Sequence, residues 1–227
     1  LLAGHPHHLV RKSRDQQPVF LDDADYTHCL GQIRELSRDY ELAIHAFCLL
    51  PEGLHILATP MGDPENLSKF MKALSCRTSL RRKNLHGANS VWEVRYRSSP
   101  VEPGQWMLAC MCYIERLPVL RQLASSAYHY HRSSYRMRLG KTHQYWLDDP
   151  EEYARLGNTI EERAEAYRTY MSNGLDAKEE KMIDTAVKRC KLTGSIRFVK
   201  EVYREYGVLG VNRGPGRPRK YRKKADG

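Results

Sequence analysis

Two periodicities alternate along the first hundred residues. "HHLVRKS" (7–13) reads as a strand, and "QQPVFLDDADY" as a turn leading into a helix. Asp22 or Asp23 can cap that helix, and Tyr26, Leu30, Ile33 and Leu36 recur on one stripe to about Tyr40. "AIHAFCLL" (43–50) is β-branched and aromatic, Pro51-Glu52-Gly53 interrupts it, and "LHILATP" (54–60) returns as the second arm of a hairpin. Pro64 opens a second helix to about Lys83, with Leu67, Phe70, Met71 and Leu74 inward and Lys69, Lys72, Arg77, Arg81 and Arg82 outward. "WEVRYRS" (92–98) alternates, with Trp92, Val94 and Tyr96 on one side and Glu93, Arg95 and Arg97 on the other. "GQWMLACMCYIERL" predicts a third helix from Pro103 until Pro118 stops it.

The order β-α-β-β-α-β-α predicts an α+β, ferredoxin-like sandwich, with a four-stranded antiparallel sheet and the first two helices on one face. Beyond Gly140 the pattern turns polar and helical, at 149–156, 159–172, 176–191 and 195–206. The expected organisation is therefore a domain over 1–140, a helical region over 141–207 and a disordered basic tail over 208–227.

Charge changes this picture at one end. The chain of 227 residues carries a net charge of +10, and after Glu205 seven basic side chains face one acid, Asp226. A basic tail on a mildly basic body points to nucleic acid before membrane, because no amphipathic anchor accompanies it; a solvated tail is the plainer alternative. No apolar stretch is long enough to span a membrane, and "LLAGHPHHLVRKS" has too short an apolar run for a signal peptide. The first residue is not Met, which fits a clipped chain. The six cysteines form no C-x-x-C pair, so buried thiols in a reducing cytoplasm are expected, with the protein on the nucleoid.

His55 stands alone in an apolar strand, and its surroundings match a known pattern. "PHHLVRKSRDQQPVF" (6–20), "HAFCLLPEGLHILATP" (45–60), "RYRSSPV" (95–101), "YIERLPVLRQL" (113–123) and "SSYRMRLG" (133–140) together resemble the single-tyrosine HUH transposases, and within them the group associated with repetitive extragenic palindromes (REP). The resemblance implies DNA transposition and recombination chemistry: a tyrosine attacks a phosphate of single-stranded DNA and forms a 5′-phosphotyrosine link. It implies a divalent ion, Mg²⁺ or Mn²⁺, held by two histidines at i, i+2 on a strand and a polar residue at i+4 from the tyrosine. Here the nucleophile position is Tyr113 and the second histidine His55. Gly53 occupies the first histidine position and Leu117 the i+4 position, so two of three ligands are lost and the ion is expected to bind weakly or not at all. Glu52 and Glu115 are expected to point away, and His129 and His131 to lie in a loop. Tyr113 has its own plain alternative, a packed and hydrogen-bonded core phenol.

Cationic side chains remain. Arg95 and Arg97 on one strand face, Arg77, Arg81 and Arg82 at the end of the second helix, and Arg132 and Arg136 around "SSY" are candidates for DNA phosphate contacts. In "RGPGRPRK" (213–220), Arg217, Arg219 and Lys220 around Pro218 resemble an AT-hook core suited to an A·T-rich minor groove. The leading expectation is a monomeric, transposase-like binder of single-stranded or hairpin DNA ends with lost or impaired cleavage. An active transposase using Tyr113 and an architectural binder acting through the tail are the alternatives.

Overall fold

A computed structural model describes residues 1–142 and 145–207. The strands are β1 (His7–Lys12), β2 (Leu42–Leu50), β3 (Gly53–Pro60) and β4 (Arg97–Pro100). The helices are α1 (Asp23–Asp39), α2 (Asn66–His86), α3 (Gln105–Leu120), α4 (Tyr135–Arg138), α5 (Glu151–Ala154), α6 (Ile160–Asn173), α7 (Ala177–Lys188) and α8 (Ile196–Tyr206). The sheet order is β2-β3-β1-β4 with every neighbouring pair antiparallel, which is the ferredoxin-like arrangement that the element order predicts.

Strand periodicity splits the sheet between two cores. Leu9, Ile44, Phe47, Leu54 and Ile56 meet α1 and α2, where Tyr26, Ile33, Leu36, Leu67, Phe70, Met71 and Leu74 are buried. Ala46, Cys48, Leu50 and Leu57 meet α3 on the opposite face, and Tyr153, Tyr167, Met171 and Ile183 of the later helices join that second core. The start of α1 is held by Asp22, whose carboxylate accepts from the Asp25 amide. Asp176 and Glu179 form a capping box at the start of α7.

Two expectations change. The strand predicted over 92–98 exists only at Arg97–Pro100. Trp92 pairs with Ser13 beyond the end of β1 while its buried indole donates to Thr78 Oγ1 at 3.1 Å, and the chain then bends at Val94 and Arg95, leaving Val94 88% exposed. Pro118 also fails to stop α3, which runs on to Leu120. Proline in a last turn removes one amide donor, but the Arg121 amide still reaches the Leu117 carbonyl at 2.9 Å.

The edges of the sheet are covered. Along β2, the Leu49 amide donates to the Arg132 carbonyl, the Ser134 amide to the Phe47 carbonyl and the Asp148 amide to the Ile44 carbonyl. Past the end of β4, Thr193 exchanges backbone bonds with Pro100 and Glu102. All six cysteines are free thiols, and among the described residues no helix is long and apolar enough to cross a membrane. The AT-hook-like stretch with Arg217, Arg219 and Lys220 lies outside the described residues.

Candidate active site

Register determines what stands beside His55. On the α3 face, β1–β3 pairing sets Val10 opposite His55 and Lys12 opposite Gly53, and β1–β4 pairing sets His8 opposite Ser99 and Val10 opposite Arg97. Side chains two apart on a strand share a face, so His8 and Lys12 flank Val10 on the face of His55. His8 Nε2 lies 2.9 Å from His55 Nδ1, one ring donating to the other. Sequence reasoning left His8 without a role, although it lies inside the first matching motif; only the register reveals its neighbour.

Burial governs this pair. It pulls His8 down to about 3, and it holds His55 well below the ordinary imidazole range, with His8, Lys12 and Arg97 adding to the effect. Both rings are neutral at pH 7. His8 Nδ1 is buried and has no hydrogen-bond partner.

α3 brings Tyr113 over the same spot. Its ring meets His8 nearly edge-on, with centroids 5.9 Å apart, and the side chain is buried. The phenol donates to Asp184 Oδ1 at 3.2 Å, and Lys188 Nζ donates to the other carboxylate oxygen at 2.6 Å. Burial and then the negative charge of Asp184 push the phenol above its usual range. That resists spontaneous ionisation, while the carboxylate is placed to take the proton. No local signal in the sequence linked Asp184 to Tyr113; the connection is made by α7 packing across β1, β4 and α3.

The donor set does not fit the divalent ion that the resemblance implies. A Cβ on Gly53 would lie 2.3 Å from the Arg11 carbonyl oxygen, so this backbone has no room for a histidine there. Leu117 is a buried member of the α3 core, and His55 Nδ1 is engaged with His8. Glu52 pairs with Arg121. Glu115 points away from Tyr113 into a separate buried network: Ser134 and Tyr167 donate to it, and Arg138 lies 3.4 Å off with both side chains fully buried. His131 meets Arg136, and His129 meets Ser126. Among the described residues, the one cluster of three potential ligands converging within 4.8 Å is Asp22, Asp25 and His86. There Asp25 is already paired with Arg81 at 2.7 Å and His86 at 3.1 Å.

The candidate DNA-binding arginines separate in space. Arg77 pairs with Glu35 at 2.7 Å, Arg81 with Asp25, and Arg82 donates to the Pro18, Val19 and Asn89 carbonyls, so these three are tied to neighbouring segments. Arg132 pairs with Asp23 and lies 3.7 Å over the Tyr26 ring; Arg136 lies over Tyr128. Arg95 and Arg97 do not share a face, because the strand begins only at Arg97. Arg95 lines a cavity of about 500 Å³ with Arg11, Ser68 and Lys72, and Arg97 lines another of about 730 Å³ with Lys12, Glu52 and Arg121.

With this geometry in view, comparison with solved structures finds a fold match. The chain resembles a structure described as a REP-associated tyrosine transposase bound to a REP hairpin, at 18% identity and a TM-score of 0.50, over 65% of this chain and 88% of that one. The likeness is one of fold. No family model matches the chain, and no curated protein matches it.

Proposed function

We propose that this protein is a transposase-like DNA-binding protein that recognises single-stranded or hairpin DNA ends and has lost, or largely lost, metal-dependent strand cleavage. The observation that carries the reading is the pairing of a tyrosine in the nucleophile position with a donor set that cannot hold the ion. Tyr113 stands over His8 and His55, while Gly53 has no room for a ligand and Leu117 has no donor. Further support comes from the fold shared with a transposase whose structure holds a REP hairpin. In this reading residues 1–140 supply the transposase-like domain, and residues 141–207 lend it Asp184 and Lys188. Of the candidate arginines, Arg95, Arg97 and Arg132 line open cavities and Arg136 lies over the Tyr128 ring, and they would track the phosphate backbone.

Asp184 favours a second reading, an active strand transferase without the family's ion. A carboxylate hydrogen-bonded to the phenol is a competent general base for nucleophilic attack by tyrosine.

One experiment separates the two. The full chain is incubated with hairpin-containing single strands and Mg²⁺ or Mn²⁺, and products are resolved under denaturing conditions beside Tyr113→Phe. Gel-shift binding of hairpins without a covalent adduct is the expected outcome. An adduct that disappears in Tyr113→Phe overturns the loss of cleavage and leaves the active reading.

A further inference from the structure

Resting on the DNA-binding reading, we propose that Lys12, Arg97, Arg121 and Lys188 form a phosphate subsite that holds one backbone phosphate of a bound DNA strand beside Tyr113, where a metal ion would otherwise meet the phosphate.

The four cations come from four elements. Lys12 ends β1 opposite Gly53, Arg97 begins β4, Arg121 caps the C-terminus of α3 and Lys188 ends α7. Lys12, Arg97 and Arg121 line the same open groove of about 730 Å³. Lys188 reaches the site through Asp184, the acceptor for Tyr113.

Three of the cations have carboxylate partners: Glu93 for Arg97, Glu52 for Arg121 and Asp184 for Lys188. Lys12 has no carboxylate within ion-pair distance among the described residues, although Asp15 lines the same groove, so its ammonium is the charge left without a direct partner. Its ammonium is pushed below the ordinary lysine range by burial and then by Arg121, Arg97 and Lys188, with Glu93 opposing. Four like charges converge there, and an anion would relieve their repulsion.

Donors are also in surplus. A guanidinium carries five N–H groups, and here Arg97 uses one terminal nitrogen on Glu93 and Arg121 one on Glu52. Lys188 commits one of its three ammonium protons to Asp184. The remaining donors and Lys12 match the acceptor oxygens of a phosphodiester. Gly53 leaves the position opposite Lys12 free of any side chain.

The test uses the full chain, a fluorescent hairpin with a single-stranded flank, and the variants Lys12→Gln and Lys12→Arg. Lys12→Gln is expected to weaken binding about 5- to 20-fold and to lower the salt slope by about one unit, with Lys12→Arg near wild type. A methylphosphonate moved along the flank should weaken wild type at one position and leave Lys12→Gln unchanged there. Equal binding by Lys12→Gln and wild type, or equal methylphosphonate penalties in both proteins at every position, overturns the subsite and leaves DNA recognition intact. If wild type binds no hairpin, the DNA reading falls. Titration with inorganic phosphate, read by NMR of the lysine ammonium groups, then decides the subsite by itself: saturable binding lost in Lys12→Gln supports it, and no binding removes it.

Discussion

Tyr113 and Glu115 are two residues apart on α3 and face two buried polar regions of opposite character. Glu115 accepts from Ser134 and Tyr167 and is neutralised by Arg138, which also bonds the His45 carbonyl and lies against the Tyr153 ring. That network ties α3, α4, α6 and β2 together. On the other side, His8 and His55 share one hydrogen bond, His8 Nδ1 has no partner, and Tyr113 leans on a carboxylate from α7. A buried polar group left unsatisfied costs about 1–3 kcal/mol. Arg138 Nε also lacks a hydrogen bond but lies 3.4 Å from the Glu115 carboxylate, so the first region has the character of a structural joint held by charge and the second of a site keeping unused bonding capacity.

The largest break in this contrast comes from the joint. Arg138→Met leaves Glu115 buried without a cation and is expected to cost about 3–5 kcal/mol in urea unfolding. A loss below about 1 kcal/mol would mean that the network tolerates an unpaired carboxylate.

Gly53→His should have a smaller effect, about 1–3 kcal/mol, as β1 and β3 move apart to admit the new Cβ. Combined with Leu117→Asn, it should give no Mn²⁺ binding by calorimetry. Tight binding would show that the backbone yields and that only two side chains separate this pocket from a metal site.

Acid should sharpen the contrast through opposite signs. His8 titrates near 3 in the fold and near 6.5 unfolded, so between those values the unfolded chain binds more protons and stability falls with falling pH. Glu115 is raised by burial, so the folded chain holds the extra proton from its raised value down to the ordinary 4.5, and there acid stabilises. The His8 contribution alone is a loss on the order of 1–2 kcal/mol from pH 6.5 to pH 5, and the lowered His55 and His7 act in the same direction, read together as a falling unfolding midpoint. His8→Gln should flatten that fall, and Glu115→Gln should steepen it.

Much of the frame was legible because period and punctuation are local. The stripe at Tyr26, Ile33 and Leu36, the break at Pro51-Glu52-Gly53 and the run from Gln105 each identify an element without knowledge of its neighbours. Motif spacing singled out Tyr113 and His55 as candidates, and helix geometry turned Glu115 away from Tyr113, where it lies buried against Ser134 and Tyr167. What required three dimensions was anything set between elements. His8 meets His55 only through strand register, and Asp184 reaches Tyr113 from 71 residues along the chain. Arg77 and Arg81 read as a free outer face because the acids that engage them, Glu35 and Asp25, belong to α1. The alternation of 92–98 misled because the chain bends at Val94 and Arg95, so the pairing of Trp92 with Ser13 is not continued until Arg97.

The covering of β2 has a consequence for how copies of this chain can meet. An edge strand with unpaired amides invites a second molecule to add its own strand, and the usual protections are charge, proline or a bulge. Here the chain's own return segment occupies those amides and carbonyls, at Leu49, Phe47 and Ile44. Any self-association at that flank would first have to peel away Arg132, Ser134 and Asp148, and so would amyloid-type templating.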